Sequence, residues 1–136
     1  MPGARKDTTP IAIENPMYVG RMAELGGYTV AFESLRGGLD PSPIFKGLPD
    51  DRCPCPHWCV VVTGSITLRY RDRDETFVAG DAFYTPPGHL PHAAPGTELI
   101  TFSPSDELAK VNAVIAKNQA ELAASLGLSS VAHQDH

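Results

Sequence analysis

The sequence predicts an all-β barrel or jelly roll followed by one C-terminal α-helix. Three observations carry this expectation. Short strand-forming runs recur between turn residues along most of the chain. Gly (12) and Pro (13) are numerous for 136 residues, which suits many short elements and argues against a helical bundle. The hydrophobic period also changes from strand-like to helix-like only after residue 104.

The elements follow in order. Residues 1–10 read as a loose arm, and the barrel is expected over 25–104. That division leaves 1–24 as an N-terminal arm and 105–136 as helix and tail. Residues 28–35 (YTVAFESL) alternate like a half-buried strand between Gly26-Gly27 and Gly37-Gly38. Residues 39–56 hold Pro41, Pro43, Pro49, Pro54 and Pro56 and read as an extended loop. Two β-rich runs in 60–70 flank Thr63-Gly64-Ser65, a tight-hairpin signal. A charged turn at 71–75, a strand at 76–79, the turn Gly80-Asp81 and a strand at 82–85 lead to Pro86-Pro87-Gly88. The last strand is expected at 98–103.

Leu108, Val111, Ile115, Leu122 and Leu126 then recur at helical spacing over 105–126. Ser105 is the candidate cap and Gly127 the candidate stop. This helix is expected to lie across an outer face or a subunit boundary.

The charge balance narrows the function classes. The net charge is −5, and Arg69, Arg71 and Arg73 alternate with Asp72, Asp74 and Glu75, so a nucleic-acid surface has no support. No apolar run approaches the ~20 residues that span a bilayer, so no membrane role is expected. MPGARKDTTP has no apolar core behind its charges and does not read as a secretory signal. Three Cys within 53–59 do not form a disulfide framework and suit a reducing, cytoplasmic compartment.

The chemistry concentrates at Cys53-Pro54-Cys55-Pro56-His57-Trp58-Cys59. Residues two apart share a face of an extended chain, so Cys53, Cys55, His57 and Cys59 are expected to point one way. Pro54 and Pro56 favour that extended form. His89 and His92 follow the Pro86-Pro87-Gly88 bend. Core packing is the competing reading for the three Cys, above all Cys59 beside Val60-Val61-Val62. Surface exposure is the competing reading for His89 and His92, and His133 and His136 are tail residues. Trp58, of opposite parity to His57, is expected on an outer face or in an interface. Phe32, Tyr70, Phe77, Phe83, Tyr84 and Phe102 are expected mostly to fill the barrel. No carboxylate occupies an obvious general-base position; Asp51 and Asp81 are the nearest.

The stretch 51–92 resembles the two motifs of the cupin family. Gly80, Pro86 and Gly88 match the glycine–proline–glycine frame of the second motif. The family's His would fall at 91, which is Pro91, with His89 and His92 to either side. The Pro-before-His form of the family favours His92, and His89 stays open. In the first motif Gly64 matches the closing Gly and His57 takes the slot of the family's Glu. The His-x-His slots fall near Asp51 and Cys53, so a Cys/His set stands where the usual ligands would be. The CPHW run is similar to that of small single-domain cupins.

The resemblance implies a double-stranded β-helix barrel, a metal at its mouth and a homodimer. It also implies chemistry such as oxygenation, isomerisation or cyclisation of a small organic molecule. The expected metal ligands are drawn from Cys53, Cys55, His57, His89 and His92. Thiolate and imidazole donors select Zn²⁺ first, with Fe²⁺ second. A binding or sensor module that holds a ligand or metal without catalysis is the second functional class. A metal-free barrel with Cys in its core is the third.

Overall fold

The structure, a computed structural model, describes residues 3–36 and 41–125. Among the described residues nine strands form two antiparallel sheets. β1 (Ile11–Asn15), β2 (Tyr18–Leu25), β3 (Tyr28–Leu35), β4 (His57–Thr63), β7 (Ala82–Thr85) and β9 (Thr97–Pro104) make a six-stranded sheet in the order β1-β2-β3-β9-β4-β7. β5 (Ser65–Arg69), β6 (Asp74–Val78) and β8 (Leu90–Ala93) make a three-stranded sheet in the order β6-β5-β8. One helix, α1 (Ser105–Ser125), follows β9 directly.

The strand at 28–35 forms as expected and pairs along its whole length with both β2 and β9. Residues 11–24, expected to belong to an arm, instead supply β1 and most of β2, which extend the large sheet. The loop at 39–56 contains two short 3₁₀ turns, Ser42–Phe45 and Pro49–Asp51, each opened by proline at its first or second position.

The expected hairpin at Thr63-Gly64-Ser65 does not form. β4 and β5 meet there but belong to different sheets, so Gly64 is a corner where the chain leaves one sheet for the other. Gly64 has φ +83, and a Cβ on it would meet the backbone Cα of Thr97 at 2.8 Å. Both the left-handed backbone and the close approach require glycine. Thr97, fully buried, ties this corner together. Its Oγ1 donates toward the carbonyls of Ala94 (2.7 Å) and Ser65 (2.9 Å) and accepts from the Ser65 N–H (3.1 Å).

The apolar interior divides in two. Val61, Ile66, Leu68, Tyr70 and Leu99 pack between the sheets, with Phe77 stacked on Phe83 at 4.0 Å. Phe45, Leu48, Cys53, Cys55, Leu108 and Val111 join the 3₁₀ turns to α1. The helical stripe foreseen from the sequence is used inside the chain. Leu108 and Val111 are buried and Ile115 packs against the same cluster, while Leu122 is exposed. Leu126 and the proposed stop at Gly127 lie outside the described residues. Ser105 anchors the helix start rather than standing free: its N–H donates to Gly27 O (3.0 Å) and its Oγ lies 2.8 Å from Thr29 Oγ1. Asn118 fastens the middle of α1 by donating to the carbonyls of Ile44 and Lys46.

Trp58 lies on the outer face of the large sheet as parity predicts, edge-on to Tyr28 and tilted against Tyr84. Tyr84 and Phe102, expected as filling, are exposed on that face beside it.

Candidate metal centre

Cys53, His57 and His89 come together at one end of the interior. One ligand atom from each lies within 4.8 Å of the others. Three pieces of backbone bring this about. His57 is the first residue of β4, paired with Thr85 at the end of β7. Cys53 sits in the coil before β4 and forms an isolated antiparallel bridge with His89. The Cys53 N–H donates to His89 O (2.9 Å), and the Gly88 N–H donates to Cys53 O (2.8 Å). Gly88, at φ +97, makes the bend that turns His89 back toward the chain.

The imidazoles are oriented by their second nitrogens. His89 Nδ1 donates to Pro86 O at 2.9 Å, which leaves Nε2 as a lone-pair nitrogen. His57 Nδ1 lies 2.6 Å from Ser103 Oγ, while its Nε2 lies 3.5 Å from Cys53 Sγ. Ser103 is buried on β9 and fixes the ring from behind. The two rings pack edge to face at 5.0 Å.

Burial sets the charge state of this group. It pushes the Cys53 thiol up to about 12 and lowers His57 to about 3, with His89 beside it adding to the fall. Burial likewise lowers His89 to about 4. At neutral pH the site therefore holds two neutral imidazoles and one thiol whose ionisation needs a positive partner. Neutral imidazoles and a sulfur that ionises on binding are the donors a soft divalent metal takes.

Two expected ligands stand elsewhere. Cys55 is completely buried in the cluster beneath α1, with Sγ 3.4 Å from Pro56 O. Residues 54–56 are coil, so the alternation that relates His57 to Cys59 does not extend back to Cys55. His92, on β8, pairs with Thr67 of β5, and its chain neighbours Pro91 and Ala93 line the interior. Alternation thus turns His92 to the opposite face. Cys59 lines the interior but is not among the three grouped donors.

The triad opens onto a cavity of about 200 Å³ between the sheets and α1. Leu108, Val111 and Ile115 of the helix form one wall, and Ile66, Leu68 and Leu99 form another. Thr85 also lines it, with a buried Oγ1 that has no oxygen or nitrogen partner among the described residues and is directed to the Cys59 thiol. The carboxylate that faces this space is Glu33, not Asp51 or Asp81. Asp51 accepts from the Gly47 N–H and Asp81 from the Val78 N–H, both in turns. Glu33 accepts from Tyr18 Oη (2.6 Å) and Thr101 Oγ1 (2.8 Å). Its signal was present in YTVAFESL: Ala31, Glu33 and Leu35 share one face, and a charge there interrupts an apolar side.

The architecture matches known structures. A cupin described as RmlC-like from Shewanella frigidimarina aligns with a TM-score of 0.52 at 18% identity, over 74% of this chain and 88% of that one. This chain has a cupin fold. Streptomyces albus HEPD, with 2-hydroxyethylphosphonate and Fe(II) bound, aligns with a TM-score of 0.52 at 18% identity over 71% of this chain. Apo-HppE aligns with a TM-score of 0.50 at 17% identity over 74% of this chain. The matched cupin-fold region spans 24% of that HEPD and 56% of that HppE. At these identities the likeness is one of fold. No protein-family model and no curated protein matches the sequence.

Proposed function

We propose that this cupin-fold chain binds one divalent metal ion on Cys53, His57 and His89 and acts as a metal-dependent enzyme on a small organic molecule held in the adjoining cavity. Zn²⁺ is the first choice and Fe²⁺ the second. The observation that carries the reading is the convergence of three donor atoms within 4.8 Å at the wall of a cavity. Three protein ligands leave a fourth position toward the cavity, which is the arrangement of catalytic rather than closed structural zinc sites. A metal there would supply Lewis-acid polarisation of a bound oxygen or nitrogen.

The chain's own residues do the rest. Pro86 O and Ser103 Oγ hold the two rings. Leu108, Val111 and Ile115 give the cavity an apolar wall, and Thr85, paired with His57 across β7 and β4, lines it beside the site. A mixed S/N/N set is softer than all-oxygen or all-imidazole sets, which favours zinc over magnesium or manganese.

Metal analysis of protein purified without a His tag tests this directly. About one equivalent of zinc or iron per chain is expected. His89→Ala and Cys53→Ser should each weaken zinc binding at least tenfold while keeping the sheet signature in circular dichroism. A wild-type protein that takes up no metal from added zinc or from iron(II) under anaerobic conditions refutes the centre. A bound metal without an exchangeable water refutes the open, catalytic form of it and leaves a structural or sensing site.

A further inference from the structure

Glu33 is the one acidic group among the residues lining the cavity, and it has no cationic partner. None of the ion pairs among the described residues involves it. The chain has 11 Lys and Arg, all within the described residues, and none of them lines the cavity. Glu33 therefore sits in an apolar enclosure with hydroxyl donors on both oxygens and no countercharge.

The arrangement is built. Tyr18 reaches Glu33 because its ring lies over Gly20, the next inward position on β2. A Cβ on Gly20 would meet Tyr18 Oη at 2.6 Å and the ring carbon Cε2 at 2.9 Å. Gly20 pairs with Glu33 across β2 and β3, so the missing side chain and the carboxylate are neighbours in register. Thr101, on β9, closes the other side. Burial raises the carboxyl's pKa, while the hydrogen bonds from Tyr18 and Thr101 lower it. Burying a carboxylate is costly unless a cation accompanies it, and no Lys or Arg among the described residues does so here.

We propose that the cavity selects a largely apolar molecule bearing one protonated amine, with Glu33 as the group that recognises the ammonium and the absence of Lys and Arg as the feature that rejects anions. The proposal deepens the reading of the cavity as a ligand site but does not need the metal. Apolar walls take the body of such a ligand, and Glu33 takes its charged end. Carboxylates and phosphates would meet Glu33 with no compensating cation from the protein.

Three probes that share one body and differ in charge test this: 2-phenylethylamine, 2-phenylethanol and 3-phenylpropionate. Binding to the full chain is measured by calorimetry after chelator treatment, because a carboxylate could also ligate zinc. The amine should bind at least tenfold more tightly than the carboxylate and more tightly than the alcohol. In Glu33→Gln the amine and the alcohol should bind within about twofold of each other. Equal binding of amine and carboxylate to wild type overturns the proposal, as does failure of the amine to bind at millimolar concentration. A Glu33→Gln protein that keeps the amine preference does the same. The wild-type comparison stands alone if the variant does not fold. Repeating the series on zinc-loaded protein separates the two readings. Amine preference without metal uptake removes only the metal centre, and metal uptake without amine preference removes only this proposal.

Discussion

Acidifying the metal-free protein from neutral pH to pH 5 should remove several kcal/mol of folding stability through two histidines. His57 and His89 are buried together, with folded pKa values of about 3 and about 4. In the unfolded chain each titrates near its ordinary value of about 6.5. Below that value the unfolded state binds protons that the folded state refuses, so stability falls with pH between about 6.5 and 4. At pH 5 the linkage amounts to about 2 kcal/mol for each ring, or about 4 kcal/mol for the pair.

For a domain of this size such a loss lowers Tm by on the order of 10 °C. Glu33 acts in the opposite sense, because its pKa is raised and acid relieves its buried charge. The histidine share is therefore isolated by comparison with a His57→Gln/His89→Gln double variant. Urea unfolding followed by circular dichroism at several pH values reads the effect. The double variant should lack most of the slope seen in wild type. Saturating zinc should steepen the wild-type dependence, since the metal-bound state keeps both rings unprotonated and also holds Cys53 as a thiolate, one proton fewer than the unfolded thiol. Parallel pH dependences in wild type and double variant would refute the assignment of buried, neutral rings.

Three further outcomes follow from the packing. Gly64→Ala should destabilise by about 2 kcal/mol or more, because it combines a positive φ with a backbone clash at Thr97; chemical denaturation reads it. Leu68→Ala, at a residue 2% exposed between the sheets, should cost about 2–5 kcal/mol in the same assay. Gly20→Ala should displace the Tyr18 ring from Glu33 and cost about 1–3 kcal/mol, with 2-phenylethylamine binding weakened alongside.

What was legible in the sequence was local. Residues 28–35 carry both the alternation and the flanking glycines, and they form the strand those signals describe. β2 was illegible because Gly20, Arg21, Met22, Ala23 and Glu24 are poor strand formers, and pairing with β3 overrides them. The hairpin expected at Gly64 shows the same limit from the other side. A glycine between two β-rich runs signals a reversal, but only the packing of Thr97 decides that the chain turns into a second sheet.

At the site, His57 was legible from its spacing to Gly64. The grouping of His89 rather than His92, and of Cys53 rather than Cys55, with His57 was not. Both depend on the backbone bridge between Cys53 and His89, a contact across 36 positions that no local pattern encodes. Glu33 could have been read from parity, as a charge on the apolar face of its strand.

The placement of Trp58 has an optical consequence. The chain has a single Trp, and its indole is 43% exposed beside Tyr28 and Tyr84 on the outside of the large sheet. Emission from that indole reports on whatever covers the outer surface: a second protein would shift it to the blue and dry it. A molecule that fills the interior, on the other side of the sheet, leaves the emission where it was. Fluorescence thus separates association at the surface from occupancy within, using the chain's own chromophore and no label.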